Sequence, residues 1–265
     1  MKHKVVAATL ALNAAALVGG AAHAQTISAQ SVPQSVGHSY AGTTFGSPMA
    51  FGADWGAVGV GVYGQHLPSE FQGRKVDESW DGSAAIVFGL GDADEYVGLE
   101  TAVVTSSLTG SQGDDKFGEA GGLSFKLHTN LPGGAAVAMG VIGTSRWGNA
   151  EDQNTSSVYA VGTKVFPIDT GSSRHALVVN LGLGDGQFNH NFNDDGVDVF
   201  GGLAFYFTRQ ISGIVDYTGR YLNVGASWAP FDGFPVVLTL GATNVTERFD
   251  SKAEFAGSLG YTFSF

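Results

Sequence analysis

Residues 254–265 have the sequence EFAGSLGYTFSF, in which large side chains recur at every second position. One face of this segment carries Phe255, Leu259, Tyr261, Phe263 and Phe265, and the opposite face carries Glu254, Ser258, Thr262 and Ser264. A period of two is the side-chain period of a β-strand, because successive residues point to opposite faces of a sheet. The segment therefore predicts a strand with one apolar face and one polar or small face.

The same alternation recurs along most of the chain that precedes this segment. Within residues 196–208, Leu203 and Phe205 fall on one face, and Gly202 and Ala204 fall on the other. Such runs predict an all-β chain of about twelve strands, in a range of about 10 to 14. Their approximate bounds are 51–64, 82–91, 95–106, 116–128, 134–146, 156–166, 174–185, 196–208, 211–218, 220–229, 235–246 and 253–265.

The connections between these runs alternate in length. Compact connections rich in turn formers lie at 91–94, 130–133, 166–169, 208–210 and 230–233. The connections between them are mostly longer and polar, at 65–81, 107–115, 147–155 and 186–195, whereas the last two, near 219 and 248–252, are short. Tight turns at one end and long loops at the other are typical of an outer-membrane barrel. A soluble exported β-sandwich is an alternative, but it gives no reason for this alternation.

The two faces of the predicted strands also differ in side-chain size. The less apolar face is rich in small residues, namely Ala136, Ala138, Gly140, Ala160, Gly162, Gly202, Ala204 and Gly225. The other face carries bulky aliphatic residues with aromatic residues near strand ends, namely Phe88, Phe117, Trp147, Phe207, Trp228 and Phe263. Small residues suit a concave interior, and aromatic residues near strand ends match the girdles at membrane interfaces. The pattern predicts a transmembrane antiparallel up-and-down β-barrel.

The N-terminus predicts export by a Sec signal peptide. Lys2 and Lys4 form a basic start, an apolar stretch follows over 5–18, and Ala22 and Ala24 provide the small residues that precede a cleavage site. Cleavage after Ala24 would leave a mature chain of 241 residues with 11 basic and 24 acidic residues, a net charge of −13.

Charge and composition exclude several classes of protein. An acidic balance argues against nucleic-acid binding, which requires Lys/Arg-rich surfaces. The chain has no cysteine, so it holds neither disulfides nor thiolate metal sites. The 40 Gly residues raise the question of disorder, but 18 Phe, 8 Tyr and 4 Trp residues contradict it.

The C-terminal segment resembles the closing strand of bacterial outer-membrane β-barrel proteins of the porin-like type, which end on an aromatic residue after alternating apolar positions. Phe265, Phe263, Tyr261 and Leu259 match this pattern. In that superfamily the closing strand is an assembly signal for the barrel-insertion machinery. The resemblance therefore implies a location among the lipids of the outer membrane and an assembly route, and it leaves the transported or bound molecule open.

The polar face includes charged residues that are expected to line the lumen: Glu100, Lys126, His128, Arg146, Lys164, Asp198, Asp216, Glu247 and Glu254. Charges in a confined space must pair or contact water. They form either a network that fills a narrow barrel or a constriction that selects solutes by charge. Twelve strands lie between small filled barrels and wide porins, so the barrel size permits both.

No pattern of residues predicts an enzyme. His-x-Ser, G-x-S-x-G and H-E-x-x-H arrangements are all missing from the sequence. We therefore expect no catalytic residue, no metal ligand and no cofactor.

Three domains are expected: a signal peptide (1–24), an N-terminal segment (25–48) and the barrel (49–265). Segment 25–48 is rich in Ser, Gln, Gly and Thr, and it is either a flexible lead-in or a short plug in the lumen. Its composition favours the flexible alternative. The leading hypothesis for function is a small monomeric channel that passes small polar solutes with a weak cation preference. The alternative is a non-conducting structural or surface-binding barrel with acidic extracellular loops.

Overall fold

The computed structural model describes residues 39–66, 80–105, 108, 117–118, 120–148, 156–191 and 195–265. It contains twelve β-strands: β1 (Ala57–His66), β2 (Trp80–Gly91), β3 (Gly98–Thr105), β4 (Gly121–Leu131), β5 (Ala135–Trp147), β6 (Ser157–Asp169), β7 (Arg174–Gly184), β8 (Asp198–Thr208), β9 (Ile211–Tyr217), β10 (Leu222–Trp228), β11 (Val236–Thr243) and β12 (Glu254–Ser264). Each strand pairs antiparallel with its neighbours in sequence, and β1 pairs with β12. The sheet is therefore a closed barrel, as the alternation predicts, and the sandwich alternative is wrong.

The closing pair depends on the C-terminal segment, residues 254–265. β1 and β12 pair in register from Ala57 opposite Ser264 to Gln65 opposite Ala256. The ladder continues beyond β12, because the Phe265 N–H donates to the Gly56 carbonyl at 3.0 Å. A closed sheet has no edge strand, so strand pairing uses the backbone hydrogen-bonding groups on both sides of every strand.

Every connection longer than seven residues lies at one end of the barrel. The connections β2–β3, β4–β5, β6–β7, β8–β9 and β10–β11 lie at what we call the turn end, and the other connections lie at the loop end. Gly133 and Gly134 form the β4–β5 turn with φ of 78° and 77°, which favours residues without a side chain. The first strand begins at residue 57 and not near 51, because residues 51–53 lie inside the barrel.

The outer face of the barrel is apolar and the inner face is polar or small. Large apolar side chains on the outside are substantially exposed, among them Val62, Ile86, Met139, Leu181, Leu203, Val215, Leu240 and Leu259. The interior contains buried Ser, Thr and Asn side chains, buried charges and small residues. No helix in the described part of the chain is long and apolar enough to cross a membrane.

Aromatic side chains gather near both ends of the outer face. At the loop end, the Trp80 ring packs edge-on against Phe255, with centroids 6.0 Å apart. At the turn end, Phe234 contacts Tyr261, and Trp55 contacts Phe265. Phe255 and Phe263 are eight positions apart on the outside of β12, which is about 27 Å along a strand. At the usual tilt of about 40° this corresponds to about 20 Å along the barrel axis.

Candidate functional site

Residues 39–55, which we call the interior segment, run through the inside of the barrel. Every residue from Ala41 to Phe51 is buried, although none of them belongs to a strand. The segment enters near the β8–β9 turn, where the Ala41 N–H donates to the Arg209 carbonyl at 2.9 Å. It leaves at the β2–β3 turn, where the Trp55 N–H donates to the Gly91 carbonyl at 2.8 Å. Both of its ends therefore lie at the turn end.

Inner side chains of β8, β9 and β10 bind the entering part of the segment. The Tyr206 hydroxyl donates to the Ala41 carbonyl at 2.7 Å, and the Ser212 hydroxyl donates to the Gly42 carbonyl at 2.6 Å. The Gly42 N–H donates to the Ser227 hydroxyl at 2.7 Å. These hydroxyl groups replace the backbone partners that an irregular segment lacks.

The apex of the segment binds a buried carboxylate. Asp216, on the inner face of β9, accepts hydrogen bonds from the N–H groups of Phe45 (3.3 Å) and Ser47 (2.8 Å) and from the Ser47 hydroxyl. The chain turns between these two residues at Gly46, whose φ is 140°. Hydrogen bonds to a charged acceptor are about twice as strong as neutral ones, so Asp216 is the strongest single anchor of the apex.

Amide and hydroxyl groups hold the returning part of the segment. The Asn223 amide donates to the Phe45 carbonyl at 3.0 Å, and the Asn180 amide donates to the Pro48 carbonyl at 2.6 Å. The Ala50 N–H donates to the Thr163 hydroxyl at 2.8 Å. The partners lie on β6, β7 and β10, so the segment is bound on several sides of the barrel wall.

A buried ion pair binds the segment where it approaches the turn end. Lys126 Nζ lies 3.0 Å from Glu100 Oε1, and both side chains are almost fully buried. Lys126 donates to the Phe51 carbonyl at 2.8 Å, and Glu100 accepts from the Ala53 N–H at 3.0 Å. Each charge thus has a charged partner and a backbone partner, which offsets the cost of removing it from water.

Next to this pair, Asp54 carries a perturbed carboxyl group. Its Oδ1 lies 3.7 Å from His128 Nε2, which is also 3.1 Å from the Ala53 carbonyl. Burial raises the pKa of Asp54 from 3.8 to about 6, the hydrogen bond from the Ala93 N–H opposes this rise, and nearby acidic side chains add to it. The segment therefore includes one carboxyl group that titrates near pH 6.

Apolar side chains of the segment fill space that small barrel residues leave open. The Phe45 ring lies against Gly225 and Gly241, and a Cβ at Gly241 would meet Phe45 Cε1 at 2.8 Å. Met49 and Phe51 pack in a buried cluster that includes Tyr159 and Phe200. The glycines on the inner face therefore make room for the segment.

The predicted lumen residues fall into three groups. Glu100, Lys126, His128, Asp216 and Glu254 are buried on the inner face. Arg146 and Asp198 lie on the inner face at the loop end and are partly buried. Lys164 and Glu247 do not line the interior, so the structure differs from the prediction at these two positions.

Both differences have a local cause. On β6 the residues Tyr159, Val161 and Thr163 point inward, so Lys164 points outward, as do Ala160 and Gly162. Glu247 lies beyond the end of β11 in an exposed loop, with a left-handed φ of 51°. The predicted strand 235–246 extends three residues too far.

Uncharged groups that were not among the predicted lumen residues bind most of the interior segment. These groups are Thr163, Asn180, Tyr206, Ser212, Asn223 and Ser227, all of which are buried. The signal was present for five of them, since Asn180, Tyr206, Ser212, Asn223 and Ser227 lie on the polar side of alternating strands, whereas Thr163 lies on β6, whose two faces do not differ in polarity. Among the residues that the structure describes, no cluster of three or more His, Asp and Glu side chains could hold a metal ion.

The four residues of the predicted assembly signal, Leu259, Tyr261, Phe263 and Phe265, lie on the outer face of the closing pair. No protein-family model matches the chain, and no curated protein sequence matches it. Among solved structures, the chain is similar to an outer membrane channel from Pseudomonas putida F1, with a TM-score of 0.43 and 14% identity. The similarity covers 82% of this chain and 98% of that chain.

Proposed function

We propose that the protein is an outer-membrane β-barrel channel for small polar solutes that its own interior segment holds closed. The apolar outer face supports membrane insertion, because a surface of exposed Val, Leu, Ile and Met side chains around a barrel is stable in hydrocarbon and not in water. The short connections at the turn end then face the periplasm, and the loop end faces outward. We propose a monomer, because a single chain closes the barrel.

The course of the interior segment is the observation that carries the channel proposal. The segment occupies the lumen, but both of its ends lie at the turn end, so it can move out without passing through the barrel. It has no charged residue between Ser39 and Ala53, and hydrogen bonds to side chains hold its backbone. Water can replace such bonds at a small net cost for each.

The charges on the inner face support a weak cation preference of the open channel. Of the predicted lumen residues that lie on the inner face, four are acidic and two are basic, and Lys164 and Glu247 are not among them. The acidic residues are Glu100, Asp198, Asp216 and Glu254, and the basic residues are Lys126 and Arg146. A negative lumen concentrates cations, and salt weakens this effect because the screening length is about 10 Å at 0.1 M. The reversal potential across a salt gradient should therefore show a cation selectivity that declines as salt rises.

The test is the conductance of refolded protein in planar bilayers. Asp216→Ala removes the acceptor of three hydrogen bonds at the apex, so it should raise the open probability about tenfold or more over the wild type. Ser47→Ala, which changes the segment and not the wall, should raise it less. Glu247→Ala, which removes an exposed carboxylate from a loop, is the matched control and should behave like the wild type.

The second candidate is a non-conducting structural or surface-binding barrel with acidic outer loops. The observation that favours it is the close fit of Phe45, Met49 and Phe51 into buried apolar clusters. If folded barrels of the wild type, of Asp216→Ala and of a variant lacking residues 39–53 all fail to conduct, the channel proposal is wrong. The second candidate then takes its place.

A further inference from the structure

The outer face of the barrel has a groove over β6. The strand places Ala160 and Gly162 outward, whereas the neighbouring strands place Val137 and Met139 on one side and Leu181 and Leu183 on the other. The groove has a volume of about 740 Å³, and its lining is almost wholly apolar. A Cβ added at Gly162 would meet no heavy atom closer than 4.0 Å, so the floor is open above this residue.

A cationic side chain lies at the turn end of this groove. Lys164 follows Gly162 on the same face of β6, about 7 Å further along the strand. Its Nζ donates to the Gly133 carbonyl at 2.5 Å and lies 6.0 Å from the centre of the Phe166 ring. No carboxylate of the described residues forms an ion pair with Lys164. Lys164 and Phe166 place the end of the groove where an aromatic girdle and a lipid headgroup would lie.

We propose that this groove binds a phospholipid, with an acyl chain over Ala160 and Gly162 and its phosphate at Lys164. The inference rests on the proposed membrane location and not on conduction. An apolar groove in contact with hydrocarbon selects a chain by shape, and an ammonium group at its end selects an anionic headgroup by charge. The volume is in the range of pockets that hold a whole ligand, about 300–1,000 Å³.

A second copy of the barrel fits this face less well than a lipid does. A twofold contact would place the same patch on both subunits, so that one groove would face the other. Two concave surfaces leave unfilled space between them, and packing contacts are lost across such a gap. A flexible acyl chain fills a groove of this shape.

Native mass spectrometry of the full mature barrel in mild detergent tests the proposal. The probes are dimyristoyl phosphatidylglycerol and the dimyristoylglycerol that lacks the phosphate. The wild type should bind one phosphatidylglycerol, and Ala160→Phe should weaken this binding about tenfold because the ring fills the groove. Ala226→Phe, on the outside of β10 and far from the groove, is the matched control and should bind like the wild type.

The contribution of the Lys164 charge to lipid binding is tested separately. Lys164→Gln should weaken phosphatidylglycerol binding about fivefold, the factor expected for the loss of one lysine near an anionic lipid, and should leave dimyristoylglycerol binding unchanged. Lys252→Gln changes a lysine at the opposite end of the barrel and serves as its control.

Several outcomes would overturn the lipid proposal. The first is that Ala160→Phe binds phosphatidylglycerol as the wild type does, and the second is that Lys164→Gln does. The third is that the wild type forms a dimer without bound lipid and that Ala160→Phe converts this dimer to a monomer. Folding is checked for each variant by its heat-modifiable mobility on gels. If the wild type inserts into vesicles but binds no phosphatidylglycerol in the mass spectrum, the lipid proposal is wrong and the proposed membrane location still stands. A wild type that does not insert refutes the membrane location as well.

Discussion

At the scale of single residues, the interior of this barrel shows how polar groups can be buried in pairs. Asp216 is fully buried, and its carboxylate is satisfied because the interior segment directs two N–H groups and a hydroxyl toward it. Glu100 and Lys126 are paired with each other and also with the segment. The wall and the segment therefore depend on each other for their hydrogen bonds.

Asp54 yields a prediction about pH at this scale. Its pKa in the folded protein is about 6, above the ordinary 3.8, so the charged form is disfavoured by folding. The loss of folding stability that this causes is absent below about pH 4, because the carboxyl group is then protonated in both the folded and the unfolded protein. It grows as the pH rises toward 6 and is complete above that value. Asp54→Asn keeps the acceptor for the Ala93 N–H and removes the charge. It should therefore stabilise the protein at pH 7.5, by about 1 kcal/mol after allowance for partial exposure.

The measurement is urea unfolding of both proteins in lipid vesicles at pH 7.5 and at pH 4. The advantage of Asp54→Asn should shrink toward zero at the lower pH. An equal difference at both pH values would show that Asp54 keeps an ordinary pKa in the folded protein. Glu95→Gln, which changes an exposed carboxylate in the β2–β3 connection at the same end of the barrel, controls for general effects of charge.

At the scale of strands, the orientation of a strand can be predicted from its sequence only where its two faces differ in polarity or size. β12 and β8 alternate large apolar residues with polar or small ones, and the structure orients them as the sequence predicts. β6 has Val158 and Ala160 on one face and Tyr159 and Val161 on the other, so its faces cannot be distinguished by polarity. Its inner face is apolar because Met49 and Phe51 pack against it, which the strand sequence alone does not reveal.

β8 allows a direct test of the orientation of its faces. Leu203 is exposed on the outside, and Leu203→Arg should cost about 2–4 kcal/mol in a bilayer because it places a charge in hydrocarbon. Ala204 is fully buried inside, so Ala204→Arg should still insert but should displace the interior segment.

Two measurements separate these outcomes. The inserted fraction in lipid vesicles should fall for Leu203→Arg and stay near the wild-type value for Ala204→Arg. Protease cleavage within residues 39–55 should rise for Ala204→Arg alone. Leu203→Ala is the control for loss of the leucine side chain. An inserted fraction that falls more for Ala204→Arg than for Leu203→Arg would mean that the two faces are assigned the wrong way round.

At the scale of the whole molecule, the apolar outer band and the aromatic residues at both ends support a location in the outer membrane. The signal peptide lies outside the described residues and remains a prediction, as does the role of the C-terminal residues in assembly. Cell fractionation should recover the mature protein in the outer membrane, with a mobility on unboiled gels that changes on heating. A control truncated before Glu254 lacks the closing strand and should not show this change. Recovery of the full chain in the soluble periplasm would contradict the proposed location.

The barrel could be predicted from sequence, and the filling of its lumen could not. Alternation and turn residues are local, so they specify strand number and connections within a few residues. The position of residues 39–55 depends on contacts with strands far away in sequence. A signal was present nonetheless: residues 5–53 contain no Asp, Glu, Lys or Arg, whereas Phe45, Met49 and Phe51 are large and apolar. Disordered segments are usually charged and poor in such residues, so these two features indicated burial, whereas the Ser, Gln, Gly and Thr content of 25–48 favoured the flexible alternative.

The interior segment also constrains the order in which the molecule can fold. It precedes all twelve strands of the described residues, but its partners are distant in sequence: Ser47 and Asp216 are 169 residues apart. Contacts of such long range form late, because most of the intervening chain must already be in place. The earliest part of the barrel domain to be synthesised therefore cannot reach its final position until β9 and β10 are in place. The interior segment enters and leaves at the same end of the barrel, so it can insert as a hairpin after the sheet has closed. Insertion of this kind threads no end of the polypeptide through the lumen.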